Sequence, residues 1–387
     1  MVMIMKYREI KRCNNLKVSE IALGCEGFMD KNPEDFKAML ERAMELGINF
    51  IDMYASNPVF RDNMGAAIAG KRDKIVLQGH IGSTWENGQY LRTRDVEKTR
   101  KAFEDQLQRL GTDYLDVGMI HYVDGEEDFA EVFQGEFITY CKKLKEEGKI
   151  RCLGMSSHNP VVARKAVETG LIDVLMFSVN AAYDMQPPTE DCEELWNPEN
   201  YKNGTNGIDP QRKALYELCE REGVAIDVMK AFGGGDMLSA EYSPFGAAFN
   251  EYQCLDYCLT RPGVVSVMAG AHSIEEIEKL VRYYDVSREE RDYSGVLSQV
   301  EKFHLKGNCM YCGHCAPCTV GISVADVNKY LNLALAQGEV PETVADHYKL
   351  LEHHASECVA CGKCEKNCPF GVEIIQKMKK AAETFGY

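Results

Sequence analysis

The chain has 387 residues and a mass of 43.6 kDa, with 45% hydrophobic and 27% charged residues, and these globular values exclude a disordered or fibrous chain. A net charge of −16 without a basic stripe argues against nucleic-acid binding. No apolar run approaches the roughly 18–20 residues of a membrane span, and the N-terminal apolar stretch is too short for a secretory signal. We therefore expect a soluble, cytoplasmic protein without a membrane partner.

Short apolar runs alternate with helical patterns along most of the chain, after a predicted hairpin over residues 1–20. The strand-like runs are 21–25, 49–54, 74–80, 114–121, 150–157, 174–180, 224–232 and 264–271. The clearest helical patterns, with apolar residues three and four positions apart, are 33–47, 93–111, 129–148 and 210–223. Several of them end at glycine, as helix C-termini often do.

Strands that alternate with helices indicate parallel pairing through helical crossovers. We therefore predict an α/β fold, a closed (β/α)8 TIM barrel whose base the N-terminal hairpin closes. The alternative is an open doubly wound sheet, which would usually carry G-x-G-x-x-G after its first strand, where this chain has GCEGFMD. The long polar connection 184–208 is predicted to be a lid or substrate loop.

The alternation of strand-like and helical segments stops before the C-terminal part of the chain. Helical stretches over 273–285 and 288–303 precede a cysteine-rich segment that begins at Lys306 and Gly307. We place the domain boundary near residue 300, with a barrel over 1–300 and a small, mostly helical domain over 301–387. Within that second domain, 326–338 and 344–354 are predicted helices.

Eight of the 16 cysteines are scattered without ligand spacing. In a reducing cytoplasm we expect most of them to be small buried hydrophobic residues and not disulfides. They are Cys13, Cys25, Cys141, Cys152, Cys192, Cys219, Cys254 and Cys258.

The other eight cysteines form two runs, C-x2-C-x2-C-x2-C and C-x2-C-x2-C-x3-C-P. The second is the ferredoxin pattern, in which the fourth cysteine ligates the other cluster. We predict two [4Fe–4S] clusters that exchange their fourth ligands; a zinc held by four thiolates would leave a third cysteine and Cys-Pro unexplained. The clusters would carry electrons, or would fold the tail over the barrel mouth. The predicted ligands are Cys309, Cys312, Cys315, Cys318, Cys358, Cys361, Cys364 and Cys368.

Several segments of the barrel region resemble the aldo-keto reductase superfamily, and with the cysteine tail the chain resembles its iron–sulfur branch. The resemblance is collinear over roughly residues 20–285, and LQRLGTDYLDVGMIH is its most specific segment. The segments that carry it are GINFIDMY (47–54), MG (64–65), LQRLGTDYLDVGMIH (107–121), KIRCLGMSSHNP (149–160), DVMKAFGGG (227–235) and VMAGAHSIEEIEKL (267–280).

The resemblance implies a carbonyl reductase with a catalytic tetrad of Asp, Tyr, Lys and His at the mouth of the barrel. The Asp and the His correspond to Asp52 and His121. The position of the Tyr is occupied by Asn57 and that of the Lys by His80. Tyr54 shares the strand face of Asp52, two residues away. We therefore predict acid chemistry by His80, His121 and Tyr54, with Asp52 orienting an imidazole.

The resemblance also implies a nicotinamide cofactor, NADP or NAD. A flavin could occupy a barrel phosphate site, but the sequence has no motif for one. The carried-over cofactor residues are Gly24, Ser156, Ser157, Asn180, Lys230, Gly233, Gly234, Gly270, Ala271 and His272.

We therefore expect an oxidoreductase that couples a nicotinamide-binding barrel to iron–sulfur electron transfer. Its partners would be a small carbonyl or related organic substrate and an electron-transfer protein. The alternative is a non-catalytic redox sensor or electron carrier that binds nucleotide only.

Overall fold

The computed structural model describes residues 5–205, 207–337 and 340–387. Three predictions extend beyond them, because the hairpin includes residues 1–4, the long connection includes Asn206 and the first tail helix includes Gly338; these positions lie outside the described residues. Within the described ranges, no helix has both the length and the apolar character needed to cross a membrane.

Twelve strands are present in the described residues, and eight of them form a closed parallel barrel. The strands are β1 (Tyr7–Ile10), β2 (Leu16–Ser19), β3 (Ile21–Gly24), β4 (Phe50–Met53), β5 (Val76–Ile81), β6 (Ser83–Glu86), β7 (Gln89–Arg92), β8 (Leu115–Ile120), β9 (Ile150–Ser157), β10 (Val174–Ser178), β11 (Ala225–Met229) and β12 (Val264–Gly270). The barrel order is β3-β4-β5-β8-β9-β10-β11-β12, closed by pairing of β12 with β3. This confirms the predicted (β/α)8 barrel.

The predicted N-terminal hairpin is formed by β1 and β2, which pair antiparallel. Ile10 and Val18 are fully buried, and they pack with Phe50, Val117 and Met176 from inside the barrel. Because the hairpin covers the apolar residues that fill the barrel, it closes the base.

Fifteen α-helices lie in the described residues. They are α1 (Pro33–Glu45), α2 (Pro58–Ile68), α3 (Val96–Leu110), α4 (Glu126–Gln134), α5 (Glu136–Glu146), α6 (Pro160–Glu168), α7 (Pro210–Glu222), α8 (Glu251–Leu259), α9 (Ile274–Val281), α10 (Arg288–Arg291), α11 (Ser294–Leu297), α12 (Val324–Gln337), α13 (Glu342–Lys349), α14 (Lys363–Asn367) and α15 (Ile374–Phe385). Helix α3 illustrates the sequence signals, since the Asp95 side chain caps its start and Gly111, with φ of 61°, ends it.

Two predicted helices are each divided in the structure. The predicted helix 129–148 is broken at Gly135, whose backbone is extended between α4 and α5. The predicted helix 288–303 is broken at Asp292, whose backbone is extended and whose side chain accepts a hydrogen bond from the backbone N–H of Ser294, two residues later.

The second antiparallel hairpin, β6 and β7, follows β5 at the mouth of the barrel and was not predicted. Its two-residue turn is Asn87-Gly88, with φ of 53° and 77°. Asn-Gly favours such a turn because both central residues need positive φ. The Ser56 hydroxyl donates to the carbonyl of Thr84 at 2.6 Å, which joins the hairpin to the connection after β4.

The tail packs against the side and base of the barrel. Glu220, near the end of α7, pairs with His347 at 2.9 Å. The fully buried guanidinium of Arg261 donates to the carbonyl of Met310 at 2.5 Å. The alternative that the tail folds over the barrel mouth is therefore wrong, because these charged and buried contacts dock it on the opposite end and flank.

Among the scattered cysteines, one pair departs from the prediction. Cys13 and Cys152 form a disulfide with a Cα–Cα distance of 5.8 Å, although 139 residues separate them in sequence. The turn of the N-terminal hairpin brings Cys13 beneath β9. The Cα–Cα distance between Cys13 and Cys152 is within the range that a disulfide spans. Cys25, Cys141, Cys219, Cys254 and Cys258 are buried free thiols, as predicted.

Candidate active site

A cavity of about 690 Å³ opens at the carboxyl ends of the barrel strands. Among the described residues that line it, the last in the chain is Leu280. Its lining includes ten of the fourteen predicted catalytic and cofactor residues: Gly24, Asp52, Tyr54, His80, His121, Ser156, Lys230, Gly234, Gly270 and His272. Clefts at this end of such barrels are where catalytic groups are found.

Four side chains form one continuous hydrogen-bonded chain from the barrel wall into this cavity. His80 Nε2 lies 3.1 Å from Asp52 Oδ1, and His80 Nδ1 lies 2.6 Å from His121 Nδ1. His121 Nε2 in turn contacts the phenol of Tyr90. We refer to Asp52, His80, His121 and Tyr90 as the proton relay. The strand ends thus bring together three of the predicted catalytic residues.

One assignment of protons satisfies every contact in the relay. If the phenol of Tyr90 donates to His121 Nε2, then His121 Nδ1–H donates to His80 Nδ1, and His80 Nε2–H donates to Asp52. Both imidazoles are neutral in this arrangement. Burial, and next the neighbouring His80, hold the pKa of His121 well below its usual value, which agrees with a neutral ring.

Tyr90 is the functional residue that sequence reasoning missed. It lies on β7, opposite Trp85 in the hairpin register, and its ring contacts the His121 ring with 5.4 Å between centroids. Burial raises the pKa of Tyr90 to about 12. The available signal was the segment STWENGQYLR, in which Asn-Gly joins two short strand-like runs.

Tyr54 lies on the cavity wall outside the relay. Its hydroxyl is 3.6 Å from the sulfur of Met29 and makes no hydrogen bond to either imidazole among the described contacts. Burial, and next the charge of Glu26, raise the pKa of Tyr54 to about 12. Asn57, which occupies the position of the family tyrosine, caps α2 by accepting from the backbone N–H of Val59 at 2.9 Å.

A second carboxyl group lies beneath the relay inside the barrel. The side-chain amide of Gln78 donates to Asp52 at 3.0 Å and to Asp227 at 2.7 Å, and so separates the two carboxyl groups. Burial, opposed in part by Gln78, raises the pKa of Asp227 to about 7. Gln78 and Asp227 are fully buried.

The cofactor residues carried over from the resemblance divide into two groups. Of those that do not line the cavity, Ser157 donates to Asp124 at 3.0 Å, and Asn180 accepts from the backbone N–H of Tyr183 at 2.9 Å. Gly233 is buried, and Ala271 is fully buried. The carbonyl oxygen of Ala271 packs against Gly27 so closely that a Cβ added at Gly27 would lie 2.3 Å from it.

The glycines that do line the cavity leave room for a ligand. Gly234 and Gly235 have φ of 71° and 108°, and a Cβ at either would meet open space. Consecutive backbone N–H groups without side chains form a site for phosphate oxygens. Lys230 lies under the long connection, with its ammonium 5.6 Å from the ring centre of Trp196.

The tail cysteines form two groups of four. One pocket is lined by Cys309, Cys312 and Cys315 with Cys368 of the other run. The second pocket is lined by Cys358, Cys361 and Cys364 with Cys318. Four converging thiols are the donor set of a [4Fe–4S] cluster, and this grouping is the one that an exchange of fourth ligands requires.

Comparisons with known proteins agree with both parts of the chain. Residues 20–253 match the model of the aldo/keto reductase family, and residues 308–373 match the 4Fe-4S dicluster domain. The uncharacterized oxidoreductase YqkF of Bacillus subtilis is 29% identical over 71% of this chain and 90% of its own. The NADH-specific methylglyoxal reductase of Escherichia coli is 22% identical over 65% of this chain and 82% of its own.

Solved structures with the same barrel include the holo form of the aldo-keto reductase AKR11C1 from Bacillus halodurans. It superimposes with a TM-score of 0.59 at 23% identity and covers 77% of this chain and 97% of its own. At that identity the likeness establishes the fold.

Proposed function

Because the chain belongs to the aldo/keto reductase family and its tail matches a 4Fe-4S dicluster domain, we propose that it reduces a small carbonyl compound with a nicotinamide cofactor. The observation that carries the proposal is the proton relay, which ends at the Tyr90 phenol in the cavity. A phenol held against a neutral imidazole is a suitable proton donor to a carbonyl oxygen. Tyr90 therefore replaces the tyrosine that the family has at position 57.

Tyr90 can regain from solvent the proton that it gives up. A nicotinamide, when bound, would supply hydride to the carbonyl carbon. Tyr90 would donate its proton to the carbonyl oxygen and take up another from water, since its side chain is 39% exposed, while the neutral rings of His121 and His80 hold the phenol in place. The buried carboxyl group of Asp52 fixes the orientation of His80 at the far end.

The lining of the cavity fits a dinucleotide. Ser156, Gly234, Gly235 and Gly270 would hold it, since they present a hydroxyl and unobstructed backbone to the cavity. At the start of α9, the backbone N–H of His272 donates to Glu276 at 2.7 Å, so a carboxylate of the chain occupies the donor that a phosphate would use. We propose that the protein prefers NADH, because Glu276 would repel a 2′-phosphate.

The eight tail cysteines support two [4Fe–4S] clusters, one in each group of four thiols. Two zinc ions would also find four thiolates each, but they would not require the interleaved runs or the Cys-Pro ending. Cys361 and Val359 are exposed at the second group, and Val359 is 60% exposed. We propose that an electron-transfer protein docks there, next to the second cluster.

The proposal is tested by turnover of NADH and NADPH with a panel of aldehydes and ketones that includes methylglyoxal, measured without air. We expect product with NADH and at least tenfold lower kcat/KM with NADPH. Tight nucleotide binding without turnover of any carbonyl would contradict the proposal and favour a nucleotide-binding redox sensor.

A further inference from the structure

Three potential metal ligands from separate segments meet beside the cavity. Asp124 follows β8, His158 follows β9, and Cys192 lies in the long connection 184–208. One ligand atom from each residue lies within 4.8 Å of the other two. Asp124 and His158 are 4% and 9% exposed, and Cys192 is half-buried. None of the three belongs to the proton relay or to the tail groups.

Asp124 directs its two oxygens to different partners, and the one that faces the His158 ring makes a hydrogen bond that a metal ion would replace. Its Oδ1 accepts from the backbone N–H of His158 at 2.6 Å and from the hydroxyl of Ser157 at 3.0 Å. Its Oδ2 contacts only His158 Nδ1 at 2.9 Å among the described contacts. Hydrogen bonds of this kind to the outer oxygen orient a ligating carboxylate.

Cys192 would bind the metal as a thiolate, with the thiol proton released to solvent.

We propose that Asp124, His158 and Cys192 bind a zinc ion. Sulfur, imidazole and carboxylate together suit zinc, and three protein ligands leave a fourth position open. His158 lines the cavity, so the proposed metal site borders it. The ion would fasten the connection 184–208 to the barrel strands beside the cavity, as expected for a lid whose Trp196 already contacts His158 with 6.5 Å between ring centres.

The test uses full-length protein prepared without air and with its clusters loaded, so that the tail thiols are occupied. One equivalent of Zn2+ is added, free ion is removed by gel filtration, and zinc and iron are measured by mass spectrometry. We expect about one zinc per chain, and at least tenfold less in Cys192→Ser and in Asp124→Asn, with unchanged iron. Glu193→Gln, which removes an exposed carboxylate adjacent to Cys192, is the matched control and should retain zinc.

X-ray absorption at the zinc edge separates this site from the tail. One sulfur with nitrogen and oxygen neighbours supports the proposal, whereas a shell of four sulfurs means that zinc has replaced iron and overturns it. Failure of the iron-loaded wild type to retain zinc, or equal retention by Cys192→Ser, also overturns it.

Discussion

At position 57 the side chain has a structural task, which explains how a phenol could be lost there. Asn57 Oδ1 accepts from the backbone N–H groups of Val59 and Phe60 and so starts α2, whose first turn would otherwise leave those donors unsatisfied. The proton donor that we propose in its place is Tyr90, on β7.

Substitution of the two cavity tyrosines distinguishes the relay from the sequence-based site. Tyr90→Phe removes the hydroxyl that contacts His121, so we expect kcat to fall roughly a hundredfold with nucleotide affinity nearly unchanged. Tyr54→Phe loses only a contact to the Met29 sulfur, and we expect less than a threefold change. Steady-state kinetics and nucleotide titration measure both. A larger loss in Tyr54→Phe than in Tyr90→Phe would support the sequence-based assignment.

The buried carboxyl group of Asp227 predicts a dependence of stability on pH. Its pKa is raised from 3.8 to about 7, so its contribution to stability is fully present below the unfolded pKa and is lost as pH rises through about 7. Asp227→Asn has no such titration and can still accept from Gln78. We expect the melting temperature of the wild type, relative to that of the variant, to decrease between pH 5 and pH 8. If the melting temperatures of the wild type and of Asp227→Asn change with pH in the same way across that range, the pKa of Asp227 is not raised.

Residues at strand ends were predictable, and residues from insertions were not. Asp52, His80 and His121 each end a barrel strand, so chain order alone places them at one mouth. Tyr90 reaches His121 only because a hairpin folds back over the mouth, and Ser56 and Arg92 contacts fix its direction. Cys13 and Cys152 are equally invisible in sequence, since the packing of the hairpin on the barrel base determines their approach.

The hairpin β6–β7 carries Tyr90 and so completes the proposed active site. Its turn places Asn87 and Gly88 at positive φ, where a side chain with a Cβ costs about 1–2 kcal/mol. A substitution that strains this turn is therefore expected to shift β7, and with it the Tyr90 side chain, relative to His121.

Glycine substitutions at two turns test that link. Gly88 and Gly70 have φ of 77° and 72°, and a Cβ at either meets open space, so Gly88→Val and Gly70→Val impose similar backbone strain. We expect similar decreases in melting temperature but a several-fold lower kcat only in Gly88→Val. If kcat falls equally in both variants, or falls in neither of them, the hairpin does not position Tyr90.

The tail shows how far spacing alone determines a site. Cysteine intervals predicted which four thiols would meet, because a cubane demands short intervals within one run and a fourth ligand from elsewhere. The docking of the tail was not predictable, because it depends on single contacts such as Arg261 to Met310 and Glu220 to His347.

The iron and sulfide content of the protein tests whether the tail binds clusters. Two clusters require about eight irons and a similar amount of inorganic sulfide per chain, with broad visible absorbance and a brown colour. Elemental and sulfide analysis of protein prepared without air measures this. Tightly bound zinc in both tail groups and no labile sulfide would contradict it.

The proposed hydride chemistry transfers two electrons at once, whereas each proposed [4Fe–4S] cluster would take one. Among the described residues that line the barrel cavity, the last in the sequence is Leu280. The cavity lining therefore does not include the tail cysteines. We therefore propose that hydride from the nicotinamide, and not electrons from the tail, reduces the carbonyl.

Transfer of deuterium tests that assignment directly. NADH labelled with deuterium at the reactive ring carbon is incubated with the protein and a carbonyl substrate without air, and the alcohol product is examined by mass spectrometry. With deuterium at both hydrogen positions of that ring carbon, we predict that each product molecule carries a deuterium on the former carbonyl carbon, and that His121→Ala forms the same labelled product roughly a hundredfold more slowly. Unlabelled alcohol formed at the wild-type rate would contradict the account.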